Sequence, residues 1–223
     1  MTPKRRSGGG RAPRAQERGV VVFAGEDRND CDILAALIRA HRPDIADTAK
    51  LVRINDPVRL RRKSGPKLAA AVEVLVGKAR AKARQQRAEL RCFVVHEDLD
   101  GYTNADYERI RGTLAAELAH QCPGLRTALA LAAWETEGWL LLFPEAFPRV
   151  HPRWKVPGHL LDKDTGRVKN AKEELKRGLG LPLFRESDGP AVAREAQQQG
   201  LIPSPRGTNR SYEDFVGDLA NWD

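Results

Sequence analysis

Acidic residues in this chain gather just after short apolar runs. Arg91 to Gly101 reads R-C-F-V-V-H-E-D-L-D-G, where the run Cys92 to Val95 is followed by Glu97, Asp98, Asp100 and a glycine. Three carboxylates so close together repel one another, which favours a cation among them. Hard divalent ions such as Mg²⁺ take oxygen ligands and suit that place. An acidic solvated loop, with an aspartate capping the next helix, is the competing reading of the same residues. Glu26 and Asp27, with Asp30 a turn further on, follow an earlier apolar run, and Glu135 and Glu137 follow a later one. If those runs are strands of an open α/β sheet, the acids stand beyond their carboxyl ends, where such sheets hold ligands. One or two metal ions held there would polarise a phosphoryl oxygen and generate hydroxide from bound water, the chemistry of metal-dependent phosphodiester cleavage.

Each acid has a plainer role to weigh against this one. Asn29 or Asp30 reads as a helix N-cap. Glu135 and Glu137 suit the positive end of a helix dipole. Being two apart, they cannot both face one ion from a helix, so at most one is a ligand. His96 lacks the second histidine of an H-E-x-x-H zinc motif, because position 100 is Asp100. Neither a G-x-G-x-x-G nor a G-x-x-x-x-G-K-[ST] phosphate loop is present, which argues against nucleotide hydrolysis within the chain. Nor is there a serine nucleophile elbow.

The elements that would position these acids follow from periodicity. Val20–Ala24, Lys50–Ile54, Cys92–Val95 and Arg126–Ala133 read as strands, rich in β-branched or small apolar residues. Between them lie helical patterns over Asp30–Ala40, Lys67–Ala88 and Asn104–His120, and W-E-T-E-G-W-L-L-L-F reads as a helix directly after the fourth strand. This alternation predicts an α/β fold, a mainly parallel, Rossmann-like sheet flanked by helices. Three regions are expected: a disordered basic tail over 1–18, an α/β domain over 19–148, and a mixed or helical appendage over 149–223 that packs on the domain. Helices are expected near Ala171–Arg177, Pro190–Gln199 and Tyr212–Asn221.

The net charge of +8 is unevenly placed, since residues 1–18 carry six basic side chains against Glu17 alone. Such a tail adds salt-sensitive affinity for phosphates whatever their sequence, or serves only to solubilise. Candidate cations beside a scissile phosphate are Lys155, Lys163, Arg206 and Arg210. Trp154 and Trp222 read as packing residues before base-stacking ones. Three scattered cysteines make neither a disulfide framework nor a zinc site. No apolar run reaches membrane-helix length and the N-terminus lacks an apolar signal core, so the expected location is the cytoplasm, away from membranes.

Acid after the first strand, then a hydrophobic strand running into Asp98-Leu99-Asp100-Gly101, resembles the Toprim fold of topoisomerases, primases and overcoming-lysogenization-defect-type nucleases. Glu137-Gly138-Trp139-Leu140-Leu141-Leu142-Phe143-Pro144-Glu145 further resembles the E-x-W-L-L-x-D-P-E segment of Toprim-like proteins of the DUF4276 group. The likeness covers roughly 20–145. It departs from the family where Glu26 follows Gly25 instead of preceding the glycine, and where Phe143 replaces an aspartate. The resemblance implies a Toprim-like fold with Glu26, Asp98, Asp100 and Glu137 as catalytic and metal-binding residues for Mg²⁺ or Mn²⁺. Glu26 would be ligand or general acid/base, Asp98 and Asp100 the metal-binding aspartates, and Glu137 a ligand or an orienter of one. It also implies a nuclease acting on nucleic acid, DNA before RNA, in defence against mobile DNA with an ATPase partner protein. A catalytically silent module that binds nucleic acid or the ATPase is the alternative, and a small-molecule phosphotransferase is a third.

Overall fold

Four apolar runs build one sheet. The structure, a computed structural model, describes residues 19–222, and the expected basic tail over 1–18 lies outside the described residues. The strands are β1 (Gly19–Ala24), β2 (Ala49–Arg53), β3 (Leu90–Asp98) and β4 (Arg126–Ala132), all parallel, in the order β2-β1-β3-β4. Helices α1 (Arg28–His41) and α2 (Pro43–Ala46) join β1 to β2, α3 (Gly65–Gln85) joins β2 to β3, and α4 (Ala105–Gln121) joins β3 to β4. After β4 come α5 (Glu137–Leu140), α6 (Phe147–Val150), α7 (Ala171–Gly178), α8 (Gly189–Gln198) and α9 (Arg210–Ala220), linked by short 3₁₀ turns. The architecture is thus the expected α/β one.

Successive strand residues face opposite sides, and the two sides bury different partners. Val21, Phe23, Cys92, Val94, Ala128, Ala130 and Ala132 pack with α1, α8 and α9. Val20, Val22, Phe93, Val95, Leu129 and Leu131 pack with α3 and α4. The three alanines on β4 leave room for Trp139 and Phe215, which stack with centroids 5.4 Å apart. Residues beyond 150 share this core, with Trp154, Phe184, Phe215 and Trp222 all buried in it.

The helix expected over Trp134–Phe143 is a single turn. Trp134 adopts φ +59° and donates its N–H to Gly101 O at 2.7 Å, which ties the end of β4 to the loop after β3 and delays helix formation until Glu137. No helix among the described residues is long and apolar enough to cross a membrane.

In this strand order the chain runs from β1 to β2 on one side, and the next connection returns from β2 past β1 to β3 on the other. The topological switch, and with it the ligand crevice of such sheets, lies at the carboxyl ends of β1 and β3. Glu26 and Asp98 stand at those ends.

Candidate functional site

Gly25 follows β1 where a Cβ would meet Cys31 Sγ at 2.9 Å, so the chain passes close under α1 before presenting Glu26. The Glu26 carboxylate accepts from Asp98 N–H at 3.4 Å, bridging the switch point. Burial first, and then the charge of Asp98, raise its pKa above the ordinary carboxylate range.

Neither residue expected to cap α1 does so. Asp27 is the N-cap, its Oδ1 accepting from Asp30 N–H at 3.0 Å. Asp30 is thereby released to face inward, its Oδ2 3.6 Å from His96 Nδ1.

Alternation along β3 divides the opening cluster. His96 and Asp98 share one face, and Glu97 takes the other. His96 is fully buried, with Nε2 2.7 Å from Thr136 Oγ1 and 3.4 Å from Asp98 Oδ1. Burial alone would lower its pKa, but Asp30, the hydrogen bond and charge of Asp98, and Glu26 carry it up to about 9. Its Nδ1 has no hydrogen-bond partner. Glu97 is equally buried, and its carboxylate accepts from the backbone N–H groups of Leu60 and Arg61. It anchors the loop between β2 and α3, and the premise of three carboxylates at one point fails first here, with Glu97 turned away from Asp98.

Asp100 departs further. Its backbone lies in the left-handed region at φ +54°, and its carboxylate forms an ion pair with Arg61, with Arg62 at 4.0 Å. The expected pair of metal-binding aspartates is therefore not brought together: Asp98 faces Glu26 and His96, while Asp100 faces arginine.

Glu135 precedes α5 instead of lying within a helix, and its Oε1 accepts from Lys172 N–H at 2.7 Å in the first turn of α7. Glu137 is buried; desolvation, then the charges of Glu135 and Asp30, push its pKa to about 8. Glu26, Asp30, His96, Asp98, Thr136 and Glu137 thus make one acidic cluster at the sheet's carboxyl rim. Asp30 already stood in the acid group after the first strand, where it read as a cap before a ligand; His96 and Thr136 are the members that sequence reasoning did not place in the site. Strand alternation, which puts residues 96 and 98 on one face, is the sequence signal that could have found His96.

Two clefts open on Glu26. One, of about 280 Å³, is lined by Glu26, Glu97, Arg59, Arg61 and Arg62. The other, of about 180 Å³, lies between Glu26 and Asn55 on the β2 side.

The four cations expected near a phosphate lie outside this cluster or have other partners. Arg206 pairs with Asp162 at 2.6 Å and Glu145 at 2.7 Å. Arg210 pairs with Glu108 and Asp214. Lys155 and Lys163 are exposed, and the Lys163 backbone is paired with Thr208. The R-G-T-N-R-S segment is scaffold: Asn209 caps α9, and Ser211 Oγ accepts from Ala133 N–H and Trp139 Nε1–H, both at 2.9 Å. Trp154 and Trp222 pack in the core as expected.

The donor set fits a hard divalent cation. Its side chains offer carboxylate oxygens; burial first, and then neighbouring carboxylates (Asp98 for Glu26, Glu135 and Asp30 for Glu137), disfavour their charged forms, and such an ion would offset both. Among the described residues no three Asp, Glu, His or Cys side chains already converge at ligand distance. Mg²⁺ needs only one or two carboxylates, keeping waters and taking substrate phosphate oxygens for the rest. Glu26 and Asp98 supply two. Set against family models, curated proteins and solved structures, the chain matches none.

Proposed function

We propose that this protein is a Toprim-like, Mg²⁺- or Mn²⁺-dependent phosphodiester hydrolase acting on nucleic acid. The observation that carries the reading is the Glu26 carboxylate at the β1/β3 switch point, accepting from the Asp98 backbone N–H at 3.4 Å, with the Asp98 charge near enough to raise the Glu26 pKa. Asp98 and Glu26 would hold the metal, with Glu137 as a further ligand or an orienter. When bound, the ion would polarise the phosphoryl oxygen and lower the pKa of water. His96 holds the Asp98 carboxylate by hydrogen bonding, and Thr136 holds His96 in turn. Where it is not a ligand, Glu26, its pKa raised by burial and then by Asp98, is placed to take up and release a proton at its carboxylate. Asp100 acts here by fixing Arg61 and not as a ligand. Action in defence against mobile DNA with an ATPase partner belongs to the same proposal and rests on the resemblance alone.

The test is cleavage of labelled single- and double-stranded DNA and RNA with Mg²⁺ or Mn²⁺, comparing wild type with Asp98→Asn and Glu26→Gln. Loss of cleavage in both variants is expected. Wild-type rates from the Asp98→Asn protein would sink the mechanism.

One observation favours a second reading, a catalytically silent binding module. Asp100 is paired with Arg61, and Asp98 with a protonated His96, so the chain's own cations already answer two of the acids. Calorimetry decides between the two. Absence of Mg²⁺ and Mn²⁺ binding at millimolar concentration, together with absence of cleavage, selects the silent module.

A further inference from the structure

Opposite the acids, the larger cleft has a wall of arginines that the hydrolysis above leaves without a part. The β2–α3 connection reads V-R-L-R-R-K from Val58 to Lys63. Its apolar residues Val58 and Leu60 are buried, and Arg59, Arg62 and Lys63 are exposed. Three anchors hold it: Val58 N–H on Gly25 O at 3.2 Å, and Leu60 and Arg61 N–H on the buried Glu97 carboxylate. A fully buried carboxylate is costly unless its oxygens are matched by donors. Here both oxygens accept from the one loop that carries the arginines. Arg61 is in turn fixed on Leu99 O and Asp100. Arg59 is exposed and has no hydrogen-bond or ion-pair partner among the described residues, while Arg62 is 82% exposed with only the 4.0 Å approach to Asp100. Two guanidinium groups with little to bind therefore stand on a rigid backbone, in a cleft whose other wall is Glu26.

We infer that this loop is the element that grips the substrate strand. Arg59 and Arg62 bind phosphates next to the one held at Glu26 and Asp98, and Glu97 is the positioning residue that sets their height over the crevice. The inference rests on the phosphodiester reading of that site and names its substrate contact. Guanidinium suits the task because its planar fork donates two hydrogen bonds to a phosphate's non-bridging oxygens. The ion and the arginines divide the work by distance: carboxylates and metal at the scissile phosphate, arginines along the flanking backbone. Such contacts read charge and spacing instead of base identity.

Binding of a labelled oligonucleotide by the full chain, followed by anisotropy in EDTA across a salt series, tests this without cleavage. The double variant Arg59→Gln/Arg62→Gln is expected to bind about tenfold more weakly, with the salt slope reduced by about 0.9 for each lost contact on duplex. Arg194→Gln, an exposed charge on α8, should bind as wild type does. Glu97→Gln keeps every arginine but replaces one acceptor oxygen with a donor. It should weaken binding while amide exchange at Leu60 and Arg61 accelerates, with far-UV circular dichroism unchanged. Wild-type affinity and salt slope in the double variant, or a wild type that binds no oligonucleotide, overturns the inference. A wild type that binds through these arginines yet never cleaves with Mg²⁺ or Mn²⁺ upholds it and removes the hydrolase. Cleavage at wild-type KM by the double variant does the reverse.

Discussion

His96 shows how a single buried ring can organise a set of acids. It is fully buried, and two carboxylates, Asp30 and Asp98, approach its two nitrogens. Thr136 is the neutral partner that fixes the ring at 2.7 Å. Thr136→Val keeps the volume and removes the hydroxyl, leaving a buried ring nitrogen short of its best partner. Such a loss costs about 1–3 kcal/mol. It should appear in urea unfolding as a lower midpoint at constant slope, while Thr136→Ser should stay near wild type; equal midpoints for all three proteins would refute the role given to Thr136. At this scale the sequence was half legible. The types and positions of Glu26, Asp98 and Glu137 are visible in it, and alternation alone separates Glu97 from Asp98. The turning of Asp100 toward Arg61 is not visible, because a non-glycine residue at φ +54° carries no local mark and its partner lies 39 positions away.

β4 is an edge strand, and its outer backbone groups need partners other than another strand. Helix α9, the residues just after it and helix α4 provide side chains for them. Asp218 Oδ2 accepts from Leu129 N–H at 2.9 Å, Trp222 Nε1–H donates to Thr127 O at 2.9 Å, and Arg111 donates to Leu129 O at 2.8 Å. Asp218→Ala leaves both Leu129 N–H and the Arg111 guanidinium without that carboxylate. A loss of about 1–3 kcal/mol is expected, with concentration-dependent self-association by light scattering as the edge opens; a variant that is monomeric and equally stable would refute the covering role. Where α1 meets α9, His41 Nε2 lies 2.8 Å from Tyr212 Oη, and burial lowers the His41 pKa below 6.5. The folded state therefore refuses a proton that the unfolded chain accepts. This contribution to stability is intact above about pH 6.5 and is lost as pH falls through that value toward the folded pKa. Urea unfolding at several pH values should show the stability gap between wild type and His41→Gln shrinking from pH 7.5 to 5.5. A constant gap would contradict it. A helix near Tyr212 is legible from spacing, but its dock on β4 is not. Apolar periodicity says which face is buried and nothing about what buries it.

Over the whole molecule, strand alternation was the legible part, because each strand's period-2 pattern is local and four of them with intervening helices admit few topologies. The sharing of one core between the sheet and residues beyond 150 was not, since Trp139, Tyr212 and Phe215 meet across some seventy positions with no common motif. That integration bears on the proposed metal. Glu26 and Asp98 issue from the two central strands, so unfolding the sheet must separate them, and an ion bound between them stabilises the entire fold. At a free ion concentration ten times its Kd the gain is about 1.4 kcal/mol. For a chain of this size that raises Tm by about 3–6 °C. Thermal unfolding with and without Mg²⁺ or Mn²⁺ should show that rise in the wild type and none in Glu26→Gln/Asp98→Asn. The Asp100→Asn protein should keep it, because Asp100 faces Arg61 and not the ion. A rise equal in all three proteins would place the bound ion elsewhere on the surface, and loss of the rise in Asp100→Asn would return that residue to the ligand set.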